Sequence, residues 1–170
     1  MVDNDNIQAG FDATEYFIKK GCRHIAFIGG TKKLFVTQDR YTGYENALKE
    51  HQLELDPQST AFVTEFLEEK GYQFTKRLLA KNPNIDAIIT TDSLLASGVC
   101  DFLSSQNLTI PVLSFDSVDP KLDLAAYVDI NTLSYRHNII VYTIFSMCFP
   151  PKILESGAVK LTLVCLLYTS

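Results

Sequence analysis

The sequence predicts an α/β fold, a doubly wound parallel sheet covered by helices on both faces. Three observations predict it. Apolar runs of strand length alternate with helix-patterned segments over the first 130 residues. Those runs are nearly continuous in apolar residues, without period-two alternation, as strands buried on both faces require. The connections are short, and the preference for right-handed crossovers leaves the doubly wound arrangement as the natural topology.

Residues 5–20 carry Ile7, Ala9, Phe11, Ala13, Phe17 and Ile18 in a helical pattern closed by Gly21. "RHIAFIGG" then reads as a strand ended by two glycines. The stretch "GGTKKLFVTQDR" is expected to be a long loop, with a helix from Tyr41 onward on which Tyr44, Ala47 and Leu48 share a face. Arg40 would then stand at the helix mouth and Gly43 inside the first turn. "STAFVT" is a second strand, and "FLEEKGYQFTKRLLAKNP" a helix stopped at Asn82-Pro83. "IDAIITTD" is a third strand, "SLLASGVCDFLSSQN" a helix, "TIPVLSFD" a fourth strand and "LAAYVDI" a candidate fifth.

Length and composition bound the function. A chain of 170 residues, 46% hydrophobic and 21% charged, is long enough for one domain with a proper core. Its net charge of -5 and the absence of a basic block argue against nucleic acid as a direct partner of these residues. Cys22, Cys100, Cys148 and Cys165 form no CxxC pair or Cys/His cluster, so no metal is expected and reduced cysteines in a cytoplasmic protein are. No apolar signal segment opens the chain, and no run reads as a membrane span.

The pattern breaks near Leu133. There are 12 basic and 19 acidic residues up to that point, then three basic and one acidic in a run without a clean period. Pro150 and Pro151 interrupt this run. Two segments are therefore expected: residues 1–132 as one α/β unit, and residues 133–170 as an atypical tail produced by a frameshift or assembly artefact. No function is argued from the tail.

In an open parallel sheet, ligands bind outside the carboxyl ends of the strands, where loops feed into helices. That edge collects Phe35, Asp39 and Arg40 after the first strand, Phe66 after the second, Thr91 and Asp92 after the third, and Phe115 and Asp116 after the fourth. A guanidinium fork, carboxylates and aromatic faces suit a neutral polyhydroxylated ligand such as a sugar. Each residue has a plainer reading as well. Arg40 could pair with Asp39 or Glu45 on the surface, Asp92 could only cap its helix, and Asp116 could be turn chemistry before Asp119-Pro120. Phe66 and Phe115 could be core. No GxGxxG, P-loop or GxSxG motif is present, and none of His24, His51 and His137 stands beside a nucleophile, so catalysis and cofactors are not expected.

Over residues 1–132 the chain resembles the effector-binding region of the LacI/GalR family of bacterial transcription repressors. The resemblance is carried by "VDNDNIQAGFDATEYFIKKGCRHIAFIGG", "DRYTGYENAL", "IDAIITTDSLLASGV" and "IPVLSFDSV" in this order and spacing. Within the family it is most similar to the maltose-type regulators. The resemblance implies a two-lobed fold like the periplasmic sugar-binding proteins, with this chain as the C-terminal lobe and the effector held in the cleft. It further implies that Arg40 of the R-x-x-G motif and Asp116 of the G-[YF]-D motif contact the effector, the motif's glycine being Ser114 here. Thr91-Asp92 stands where the family has Asn-Asp, and Asn4 and Phe66 match positions that line the cleft. Gly43 is expected to let its helix pack close to a neighbouring element.

The function so implied is that of a sugar-binding core, with maltose or a related sugar as effector. Its parent protein would be a homodimeric, cytoplasmic repressor of carbohydrate-use genes. Operator DNA would be read only through an N-terminal headpiece outside this chain. The family's returning helix should follow "NTL", and "NTLSYRHNII" does not match it, as expected of a fragment. The helix "SLLASGVCDFLS" is a candidate dimer contact, with core as its alternative. A transport-associated sugar-binding protein of similar fold is the competing reading.

Overall fold

The computed structural model of the chain describes residues 5–115, 128–134 and 140–146. Helix α1 (Asn6–Lys19) leads into strand β1 (Ile25–Gly29), helix α2 (Phe35–Glu50) and, after a 3-10 turn at Pro57–Ser59, strand β2 (Thr60–Phe62). Helix α3 (Glu68–Lys81), strand β3 (Ala87–Thr90), helix α4 (Ser93–Ser105) and strand β4 (Pro111–Ser114) continue the alternation. Two further strands, β5 (Val128–Ser134) and β6 (Ile140–Ser146), complete a sheet of order β2-β1-β3-β4-β6-β5.

Strands β2, β1, β3 and β4 run parallel, with Ile28 opposite Thr90 and Thr90 opposite Ser114. β6 is antiparallel to β4, and β5 antiparallel to β6. The sheet is thus parallel at its centre, with an antiparallel pair at one edge. β5 takes in the last three residues of "LAAYVDI" and runs on to Ser134, while the first four residues of that segment lie outside the described residues.

Two-sided burial explains the apolar runs. Every residue of β1 and β3 is buried. Ile25, Phe27, Ala87, Ile89 and Leu113 pack with α1 and α2 on one face. Their neighbours Ala26, Ile28, Ile88 and Val112 pack with α3 and α4 on the other. Both neighbours along a strand are therefore apolar, and the alternation of a half-exposed strand disappears. In α4, Leu95, Ala96, Val99, Cys100, Phe102 and Leu103 are all buried in this core, which leaves Leu94 as its exposed large apolar residue.

One helix departs from expectation. α2 begins at Phe35, so Arg40 lies in its second turn and not at its mouth. Its cap residue, Leu34, makes no side-chain hydrogen bond to the helix, and only main-chain bonds from Thr37 and Gln38 to the Leu34 carbonyl close the first turn. Without a Ser, Thr, Asp or Asn cap, and with aromatic and β-branched residues opening it, the start has no helix signal in sequence.

Glycines set how the helices cross. A Cβ on Gly43 would overlap the Ile7 carbonyl of α1, and one on Gly10 would overlap the Arg40 carbonyl of α2. The opposite layer repeats the device: Gly71 meets the Leu95 carbonyl and Gly98 the Glu68 carbonyl. In each case a glycine lies against the carbonyl three residues before the partner glycine.

Candidate functional site

All four helices start at the carboxyl edge of the parallel strands, where the loops after β1, β2, β3 and β4 meet. Main-chain bonds lock this edge. The Thr91 N–H donates to the Ile28 carbonyl (3.2 Å), and the Gly30 N–H donates to Thr91 Oγ1 (3.0 Å). Thr91 is buried, so its side chain ties the end of β3 to the end of β1. The ring of half-buried Phe66 lies against Gly30, where any Cβ would overlap it. A side chain at Gly30 would have to displace the tip of that ring, which a half-buried phenylalanine can give by rotating.

Arg40 reaches into this edge from the second turn of α2. Its Nε donates to Asn6 Oδ1 of α1 (3.3 Å) and its Nη1 to the Thr91 carbonyl (3.2 Å). The guanidinium carbon stands 4.5 Å from the centroid of the Phe115 ring, which is itself buried at the end of β4. A cation over an aromatic face, partly shielded from water, gains roughly 0.5–2 kcal/mol. Three separate elements thus orient a side chain carried on a fourth, and the charge faces inward, away from a simple surface pairing along its own helix.

Asp92 caps α4. Its Oδ1 accepts from Leu94 N–H (2.8 Å) and Leu95 N–H (3.3 Å). Both capping bonds end on the same oxygen of a half-exposed carboxylate. The capping reading is therefore met by one carboxylate oxygen, and Oδ2 takes no part in it.

The structure brings Arg40, Thr91, Asp92 and Phe66 of the expected set to one edge, with Asn6, Gly30 and Phe115 among them. Asn4 and Asp116 lie outside the described residues. Asn6 has no signal in the sequence as a site residue, because its contact depends on how α1 crosses α2. Five large apolar residues at this edge are exposed: Ile7, Leu34, Leu67, Leu94 and, at 81%, Phe35. The two described histidines lie elsewhere. The His24 N–H bonds Asp86 before β1, and His51 stands at the far end of α2 beside Glu15 (3.4 Å).

The family model for periplasmic binding proteins and the sugar binding domain of the LacI family matches residues 1–131. The HTH-type transcriptional regulator MalR of Streptococcus pneumoniae serotype 4 is 70% identical over 133 residues, 78% of this chain and 40% of that protein. The HTH-type transcriptional regulator RegA of Clostridium saccharobutylicum is 32% identical over 109 residues, 63% of this chain and 32% of that protein. The solved structure of a transcriptional regulator LacI from Bacillus cereus subsp. cytotoxis superposes with a TM-score of 0.65 at 34% identity, over 68% of this chain and 42% of that one. The chain therefore spans two fifths or less of the length of these curated relatives. With three quarters of its residues inside the matched region and the same sheet beneath them, the chain belongs to the family of periplasmic binding proteins and sugar-binding domains of the LacI family.

Proposed function

We propose that residues 1–132 are the C-terminal lobe of the effector-binding domain of a sugar-responsive transcriptional repressor, with maltose or a related sugar as effector. The observation that carries this reading is the Arg40 guanidinium, oriented at the carboxyl edge by Asn6, Thr91 and Phe115. A preset planar cation donates to ring and hydroxyl oxygens, while carboxylates accept from hydroxyls. In this reading Asp92 Oδ2 and Asp116 accept effector hydroxyls, Asn4 and Thr91 add polar contacts, and Phe66 supplies an apolar wall. The 70% identity to an HTH-type transcriptional regulator supports the regulatory role, and the maltose-type effector rests on the sequence resemblance. The relatives named above are regulators, which favours this reading over a transport-associated binding protein.

The site is read as one of binding, because the relatives named above are transcriptional regulators. The effector acts by preferring one lobe arrangement of a homodimer, with a coupling of roughly 1–3 kcal/mol to operator binding. Operator DNA is read by the helix-turn-helix element that the relatives' names specify, in the cytoplasm. No helix among the described residues is long and apolar enough to cross a membrane. Residues 133–170 are assigned to an atypical tail on composition. The sheet does not mark that boundary, since β5 runs through position 132 to Ser134 and β6 pairs on both sides, between β4 and β5. Sequencing the locus across Thr132 tests the assignment, with a continuous frame through position 170 as the overturning result.

Calorimetry of the full-length regulator with maltose tests the site. Saturable binding is expected, and Arg40→Ala should weaken it about thirtyfold or more, the loss of a charged hydrogen-bonding group. Equal affinity in that variant would overturn the effector role of Arg40.

A further inference from the structure

We infer that Asn6 is a positioning residue for Arg40, and that the first turns of α1 set where the guanidinium stands. The inference rests on the effector-binding reading of Arg40 and adds a residue that reading does not use.

Arg40 is carried on α2, yet its guanidinium is oriented from outside that helix. The Thr91 carbonyl and the Phe115 ring belong to strand ends, held by the ladders of β3 and β4. Asn6 belongs to a helix, which could slide along α2 unless the crossing prevents it. The crossing does prevent it. Gly10 lies against the Arg40 carbonyl and Gly43 against the carbonyl of Ile7, the residue after Asn6. Residues 6–10 of α1 thus hold Arg40 twice, at its main-chain oxygen and at Nε.

The chemistry of the second hold matters. A guanidinium bonded at Nη1 alone can still swing about its side-chain torsions, whereas a second bond at Nε sets its plane. An amide oxygen is a neutral acceptor, so Asn6 aims the fork without cancelling the charge that a ligand oxygen would meet. Aspartate at this position keeps the acceptor oxygen, and alanine removes it.

The test is a double-mutant cycle in the full-length regulator, read by calorimetry with maltose. Asn6→Ala should weaken binding about tenfold, within the range measured for directly contacting residues. Asn6→Asp keeps the acceptor oxygen but sets a counter-charge against the guanidinium, so its affinity should fall between those of wild type and Asn6→Ala. In an Arg40→Lys background, which keeps the charge but lacks Nε of the fork, Asn6→Ala should cause no further loss. An equal loss in both backgrounds would overturn the inference, since it would mark general damage to α1. Unchanged affinity in Asn6→Ala would also overturn it, provided Arg40→Ala still loses binding. No loss in Arg40→Ala, or no saturable maltose binding by wild type, fails the effector reading itself. Asn6→Ser carries the same cycle should Asn6→Ala not fold.

Discussion

Gly43 of α2 lies against the carbonyl of Ile7 on α1, and the reverse contact, Gly10 against the Arg40 carbonyl, closes the pair. The crossing admits no Cβ at either point, because the obstacle is backbone and cannot rotate away. Gly43→Ala gains roughly 0.5–1 kcal/mol of helix propensity. It must also separate the helices, an overpacking that typically costs about 1–3 kcal/mol. The separation wins, so net destabilisation of about 1–2 kcal/mol is expected in urea unfolding of the full-length protein. A variant as stable as wild type would show that the helices do not cross this closely.

Much of this architecture was legible in the sequence, and the rest was hidden for physical reasons. β1 and β3 were readable because burial on both faces turns them into apolar runs. α1 and α4 were readable from periodicity and from Gly21 and Asp92 at their ends. The start of α2 was not, because Leu34 supplies no capping side chain and Phe35-Val36-Thr37 has strand-like composition. At the site, Arg40, Thr91 and Asp92 follow from the rule that ligands gather at the carboxyl edge. Asn6 does not, since its contact with Arg40 is made 34 residues away across a helix crossing. Gly43 hinted at that crossing, but its partner Gly10 was not identifiable from spacing alone.

Ser114 replaces the glycine of the family's G-[YF]-D pattern, and its fully buried Oγ has no hydrogen-bond partner. A buried hydroxyl without a partner costs roughly 1–3 kcal/mol of desolvation. Ser114→Ala removes that cost while leaving a Cβ of the same size. The variant should therefore be equal to wild type or more stable by up to about 1 kcal/mol. A clear fall in melting temperature would mean that the hydroxyl does useful bonding.

Tyr44 ties α2 to the sheet by donating its phenol to the Ile25 carbonyl (2.8 Å) in a buried setting. Burial raises the phenol well above its ordinary value of 10.0, with the nearby Tyr41, Asp56 and Glu45 adding to the effect. The folded state thus favours the neutral form. Its contribution is complete below pH 10 and is lost as pH rises towards the folded value. Tyr44→Phe should cost about 1 kcal/mol at neutral pH through the orphaned Ile25 carbonyl. Between pH 10 and 12, the melting temperature of wild type should fall more steeply than that of the variant. Parallel pH profiles would show that Tyr44 is not the alkaline-sensitive group.

Asp92 carries two assignments that one substitution can separate. Its Oδ1 caps α4 through Leu94 and Leu95, and its Oδ2 is proposed to accept an effector hydroxyl. Asparagine caps helices about as well as aspartate, through an equivalent side-chain oxygen. What Asp92→Asn loses on the stability side is the charge at the positive end of the helix dipole, worth about 0.3–1 kcal/mol. On the binding side, an amide with Oδ1 committed to the cap turns its NH2 towards the effector. A donor then faces hydroxyl protons where a carboxylate oxygen accepted them. The variant should keep its melting temperature to within a few degrees, while maltose affinity in the full-length regulator falls about tenfold. Asp92→Ala should lose both, since it removes the cap together with the acceptor. If Asp92→Asn binds as tightly as wild type, Asp92 is a helix cap and nothing more, and the effector's hydroxyls must be met by Arg40 and the remaining edge residues alone.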